Sequence, residues 1–383
     1  MNRFTRRSFL TTCSRAGLGA TVLASVPRWA RATLAAGTAP RIIVRNDWPE
    51  HWETGLEALG RKWLTPNELF FVRSHFPAPE VDPSSWRLEV AGQVATPLSF
   101  SLEQLRALPA VEAAHTLECA GNGRGLYHLA STSGTQWERG AVGNARWRGV
   151  RLATVLERAG VKPEARHVWF EAADRAPLPG VPPFLRSIPL AKGMADTLLA
   201  WSMNGAPLSR LHGAPLRVIV PGWYGMASTK WVTRVRLEAE PSDNHFMARG
   251  YRYAYPGEDP ANAAPVEELR VKSLITWPLD GARIRPGAAS LLGLAWAGAA
   301  GLARVEVSID AGGSWQAARL AGESEPLAWR RWQAEVSLVR PGSATLMARA
   351  TDGAGAVQPL EARPNAGGYG NNSVHRVTIE VRG

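Results

Sequence analysis

Apolar and polar positions alternate over short runs along most of the chain, and only a few stretches keep the wider spacing of a helix. Residues 41–45 read as a short strand. Apolar residues over 48–64 recur at helical spacing and predict a helix that ends before Pro66. The runs 86–90 and 97–100 predict strands, and Ser101 predicts the cap of a helix over SLEQLRAL, stopped by Pro109. Helical spacing returns over 150–160 and closes on Gly160, after which 168–171 reads as a buried strand leading to Asp174. In the last third, strand-like runs recur at 291–296, 304–309, 314–320, 332–338, 345–350 and 376–381, separated by Gly, Pro and Asp. Such intervals fit a β-sandwich, with DAGGSW as a hairpin turn in which Asp310, Gly312 and Gly313 can adopt positive φ. The polar, turn-rich GEDPANAAP separates this part from what precedes it. The expectation is therefore an α+β chain: a mixed domain over 33–257 followed by an all-β domain over 258–383.

Composition sharpens this picture at the N-terminus. The formal charge is +11, yet Arg3, Arg6, Arg7, Arg15, Arg28 and Arg31 fall in the first 32 residues without an acid among them. The remainder carries +5, with no basic run or basic helix, which excludes a nucleic-acid-binding reading. TRRSFL, a small apolar run over 16–26, and Ala30-Arg31-Ala32 predict a cleaved leader over 1–32. Its paired Arg6 and Arg7 resemble a twin-arginine export signal, so a periplasmic location is expected. No later apolar stretch reaches the length of a membrane span. The two cysteines are Cys13, inside the leader, and Cys119. One thiol excludes an internal disulfide, a CxxCH haem attachment, a cysteine-ligated iron–sulfur cluster and a cysteine-rich zinc site in the cleaved chain.

Cys119 lies in HTLECAGNGRG, where Gly121, Gly123 and Gly125 open room for backbone amides and Arg124 brings a cation. Two roles fit a lone thiol here: a small buried apolar group, or a thiolate ligand for a soft metal. Arg73 and His75, in PNELFFVRSH, stand two apart beside Phe71 and face one side of an extended chain. Further along, His212 and Arg217 flank GAP, and Ser228, Thr229 and Lys230 follow a glycine-rich turn. Arg and Lys neutralise phosphate, while hydroxyls and backbone groups fix a ring system.

These motifs, with GAVGNARWRGVRL and the terminal VHRVTIEV, resemble the sulfite oxidase family of molybdopterin enzymes, and its bacterial periplasmic sulfite dehydrogenases most of all. The resemblance runs from about Pro66 to Val381. It implies a molybdopterin-binding domain of the sulfite oxidase type, followed by an immunoglobulin-like domain that pairs two copies. Cys119 becomes the metal ligand. Phe71, Arg73, His75, Asp174, His212, Arg217, Ser228, Thr229 and Lys230 become cofactor-binding residues. Arg73, Arg124, Trp137 and Tyr251 become the groups around the substrate, with Tyr253 and Tyr255 close enough in sequence to exchange roles with Tyr251. The implied reaction is oxidation of sulfite to sulfate, with electrons passed singly to a separate c-type cytochrome because this chain carries no haem motif. Another sulfur compound, carrier-bound sulfane sulfur or a sulfoxide, is the alternative substrate. One departure stands out: Gly367 falls where the animal enzymes of the family carry a third pocket arginine.

Overall fold

The computed structural model describes residues 41–127 and 132–383, so the leader expected over 1–32 lies outside the described residues. Among the described residues antiparallel pairing dominates, and only Leu88–Gly92 with Val232–Glu238 and Arg283–Ile284 with His375–Val381 run parallel. Helices are few and short among the described residues. The longest, Leu152–Ala159, has eight residues, so the expected α+β balance gives way to a mostly β architecture.

A small sheet comes first, built from Ile42–Asn46, His51–Thr54 and Val72–Arg73. It overturns the helix expected over 48–64, of which only the turn Leu56–Leu59 is helical. Glu53 supplies the reason. Its buried carboxylate accepts from Arg45 and from the amides of Glu138 and Gly140, partners that an extended neighbour and a distant loop provide and a local helix does not. Gly55 then ends the strand.

Two five-stranded sheets follow. In one, Ala206–Pro207, Leu198–Met203, Val142–Arg151 and Ala110–Glu118 lie side by side, with Arg217–Ile219 also paired to Leu198–Met203. In the other the order is Leu98–Phe100, Leu88–Gly92, Val232–Glu238, His167–Ala172 and Arg186–Pro189. Leu88, Val90, Val150, Phe170, Leu199, Val218, Val235 and Leu237 form one apolar core from both sheets. Leu152, Val155, Leu156 and Ala159 of the helix add to it at positions i, i+3, i+4 and i+7, and Gly160 closes that helix at φ 71°. Ser101 caps Leu102–Arg106 as expected: its hydroxyl accepts from the Gln104 amide while the Gln104 side chain accepts from the Ser101 amide.

The last eight strands pair in the order Lys272–Trp277, Gly287–Trp296, Arg330–Leu338, Gln316–Ala321, Leu302–Ser308, Gly342–Asp352, His375–Val381 and Arg283–Ile284. Ile275, Leu291, Trp332 and Val336 of one half meet Val305, Leu346, Val377 and Ile379 of the other in a single core, so the sheet folds over into a sandwich. The strand Lys272–Trp277 opens it, with five buried residues in succession that the alternation pattern did not mark.

Candidate active site

A cavity lies where seven separate segments of the chain meet. Phe70 to His75 enter from the strand Val72–Arg73 and its flanks, and Leu117, Cys119 and Ala120 from the end of Ala110–Glu118. Asp174 and Phe184 come from the connection between His167–Ala172 and Arg186–Pro189. The turn Arg210–His212 brings His212, the strand Arg217–Ile219 brings Arg217, and the segment after Gly225–Ala227 brings Ser228 through Trp231. Tyr251 completes the wall.

Most of the residues singled out in the sequence thus share one wall: Phe71, Arg73, His75, Cys119, Asp174, His212, Arg217, Ser228, Thr229, Lys230 and Tyr251. Of the three tyrosines in MARGYRYAYPG, only Tyr251 lines the cavity. Two expected substrate groups do not. Trp137 is fully buried in an apolar cluster with Phe70, Leu117 and Trp147, and its ring tilts against His51 at 5.9 Å. Arg124 donates to the carbonyls of Gly367 (2.8 Å) and Thr135 (2.9 Å), and its guanidinium covers the ring of Tyr369 at 5.3 Å. The glycines of the Cys119 loop serve this packing. A Cβ on Gly121 would meet the Arg124 guanidinium at 2.7 Å, and Gly123, at φ 89°, makes room for Asn371. The amides of Asn122, Arg124 and Gly125 are spent on the carbonyls of Cys119, Gly121 and Trp137, so they do not cradle a ligand.

Residues that sequence reasoning passed over also shape the site. Phe184 stacks on His75 with centroids 3.8 Å apart, and Ser74 accepts a 2.8 Å bond from Lys230. Ser74 lies inside the motif already quoted. Phe184 follows a proline-rich loop without periodicity, so no local pattern marks it.

The polar groups of the wall are only partly satisfied. Arg217 donates to the carbonyls of His212 and Ser228 and lies over Trp147 at 4.9 Å, but its Nε has no partner. Arg73 Nη1, His212 Nε2 and Thr229 Oγ1 are likewise buried without partners. Buried donors left open in one cavity call for a polar ligand. Charge points the same way. Burial, and then the neighbouring Arg217, hold the Lys230 ammonium well below its ordinary range, while burial brings Arg217 down to about 9. Burial and the adjoining cations lower His212 to about 3 and His75 well below the usual histidine range. Asp174 is the single carboxylate of the wall, and burial raises it to about 6. A cluster of crowded cations with one weak counter-charge is suited to a ligand bearing several negative charges. At the other end of the wall, Tyr251 meets His75 Nε2 at 2.7 Å, and burial raises its hydroxyl to about 12.

Comparison with known proteins gives this constellation its class. The family model described as oxidoreductase molybdopterin binding domain matches residues 75–246, and the one described as Mo-co oxidoreductase dimerisation domain matches 263–382. Mitochondrial sulfite oxidase of Mus musculus is 38% identical over 362 residues, covering 89% of this chain and 66% of that protein. Sulfite oxidase of Arabidopsis thaliana is 33% identical, covering 89% of this chain and 94% of that protein. The crystal structure of the sulfane dehydrogenase SoxCD from Paracoccus pantotrophus superposes with a TM-score of 0.80 at 29% identity, covering 96% of each chain. The chain belongs to the sulfite oxidase family of molybdopterin enzymes. It spans about two thirds of the length of the mouse protein.

The residues present fit the family's cofactor. Molybdopterin carries a phosphate, ring heteroatoms and a dithiolene, and the wall holds buried cations, open donors and one thiol to meet them.

Proposed function

We propose that the chain oxidises sulfite to sulfate in the periplasm and passes the electrons to a c-type cytochrome. In this reading 33–257 forms the catalytic domain and 258–383 an immunoglobulin-like domain that pairs two copies. The observation that carries it is the single thiol of residues 14–383, at Cys119, standing in a wall with the unpartnered donors Arg73 Nη1, Arg217 Nε, His212 Nε2 and Thr229 Oγ1.

When bound, the molybdenum cofactor supplies oxygen-atom transfer and two-electron redox chemistry. Cys119 would hold its metal. Arg217 and Lys230 would neutralise its phosphate, with Ser228, Thr229 and His212 bonding the ring system and Asp174 accepting from it. Arg73, beside His75 and Tyr251, would orient the substrate oxyanion and offset its charge. The Tyr251 hydroxyl, held on His75, would keep or relay a proton there. Phe71 and Phe184 narrow the cavity against water.

Cys119→Ser tests the reading. It is expected to purify with less than about a tenth of the molybdenum and to lose at least about a hundredfold in turnover of sulfite with oxidised cytochrome c. A variant that keeps metal and turnover would overturn it.

A second reading has its own support. Arg124 is engaged by two backbone carbonyls and Gly367 brings no side chain, so fewer cations face a doubly charged oxyanion. The same centre would then act on carrier-bound sulfane sulfur or on a sulfoxide. Comparing kcat/KM for sulfite with that for each alternative, on one metal-loaded preparation, separates the two.

A further inference from the structure

Glu118 immediately precedes Cys119 and is fully buried. A lone carboxylate there would be untenable, and it is answered on both oxygens from another layer of the molecule. Lys272 forms an ion pair with Oε1, and Trp296 Nε1 donates to Oε2 at 2.9 Å. Lys272 and Trp296 are cross-strand partners in the C-terminal sandwich, so two adjoining positions of one sheet edge aim both donors at one carboxylate.

The same carboxylate reaches around the loop. Asn122 Nδ2 donates to Glu118 Oε1 at 3.0 Å, and Asn122 Oδ1 accepts from the Ala141 amide at 3.1 Å. The Cys119 amide donates to the Ala141 carbonyl at 2.9 Å, and its carbonyl accepts from the Asn122 amide at 2.9 Å. Both backbone groups of Cys119 are therefore held by Ala141 and Asn122, and Asn122 is bonded both to the Ala141 amide and to the Glu118 carboxylate. From the other side of the loop, Gly370 donates to the Ala120 carbonyl at 2.8 Å and Asn371 to that of Gly123 at 2.8 Å, again from the sandwich.

We propose that Lys272, acting through the Glu118 carboxylate, is a positioning residue for the Cys119 thiol, so that the sandwich sets where the metal ligand stands. The assignment rests on Cys119 as the ligand. Two features separate it from plain stabilisation: the pair sits on the residue immediately before Cys119, and Asn122 links its carboxylate to the residues that bond the Cys119 backbone.

The test uses the full-length protein as purified. Molybdenum per chain, thermal midpoint, and the rate at which a neutral maleimide labels Cys119, followed on its peptide by mass spectrometry, are measured for each variant. Lys272→Met is expected to speed labelling about tenfold or more and to lower bound metal below about half, because an unpaired buried carboxylate draws the loop out of place. Lys272→Met combined with Glu118→Gln is expected to return labelling to within about twofold of the parent, since the neutral side chain leaves no buried charge to pair and its one oxygen can still accept from Trp296. Should Lys272→Met fail to fold, Trp296→Phe removes one donor while keeping the ring, and a several-fold faster labelling is expected. Parent-like labelling in the single variants, beside a lowered melting midpoint, overturns the proposal. If the parent itself binds no molybdenum, the reading of Cys119 as a metal ligand fails, while the labelling comparison still decides whether Lys272 positions the thiol.

Discussion

Tyr251 shows how much a single residue here depends on its neighbours. Its backbone sits at φ 56°, a costly conformation for a residue with a Cβ. Its ring is approached by the Arg186 guanidinium at 5.3 Å and stacks on the Tyr369 ring at 5.0 Å, and the Arg124 guanidinium lies over Tyr369 at 5.3 Å. These contacts hold the ring whose hydroxyl meets His75. A Cβ at Gly367 would run into the Tyr369 ring, so the absence of a side chain at 367 and the presence of Tyr369 are one arrangement. Nothing in the local sequence announces it. His115 carries a residue-level prediction. Its ring is buried away from the cavity, Nδ1 has no partner, and burial lowers it to about 4 despite the attraction of Asp196 and Glu325. Between about 6.5 and about 4 the unfolded chain therefore takes up a proton that the folded chain refuses, so stability falls as pH drops through that window and levels off below it. The full effect is on the order of 3 kcal/mol. His115→Asn is expected to shrink the loss of urea stability between pH 7.5 and pH 4.5 by up to that amount, and an unchanged pH slope would contradict the assignment.

Among elements, legibility followed the range of the forces involved. The helices at Leu102–Arg106 and Leu152–Ala159 were visible because a capping box and a four-residue apolar stripe are local. Ser101→Ala should lower stability by about 1 kcal/mol, read as a small drop in the urea midpoint with an unchanged slope. The strand His51–Thr54 was misread because Glu53 finds its partners in Arg45 and in a loop more than eighty residues away. The second half of Ala110–Glu118, most of Val142–Arg151 and all of Leu198–Met203 are also indistinct locally, since a strand buried on both faces loses the alternation that marks it.

At the scale of the whole molecule, the sandwich and the cavity-bearing sheets are joined by specific bonds. Trp63 donates from its indole to the Trp329 carbonyl at 3.0 Å, and Trp329 returns a 2.8 Å bond to the Trp63 carbonyl. Trp329 also donates from its amide to Thr116 Oγ1 at 2.8 Å, two residues before Glu118. Trp329→Ala should cost about 3–5 kcal/mol and unsettle both parts together, because the cavity left behind is lined from both sides. A single cooperative melting transition, shifted down as one, is the expected calorimetric outcome. Two separated transitions in the parent protein would show that the parts unfold independently.

The amino-acid sequence by itself determined the identity of the chemistry-bearing residues: one thiol after residue 13, spaced motifs of Arg, His, Ser, Thr and Lys, and a turn-punctuated β-rich C-terminal part. These follow from composition, short-range spacing and resemblance, which need no third dimension. Only the tertiary structure decided which of them share a wall, that Arg124 and Trp137 stand behind it, and that Lys272 and Trp296 reach across to Glu118. A carbonyl, an aromatic face or a carboxylate over a hundred residues distant leaves no trace in local periodicity, yet at hydrogen-bond distance it decides where each charge can point.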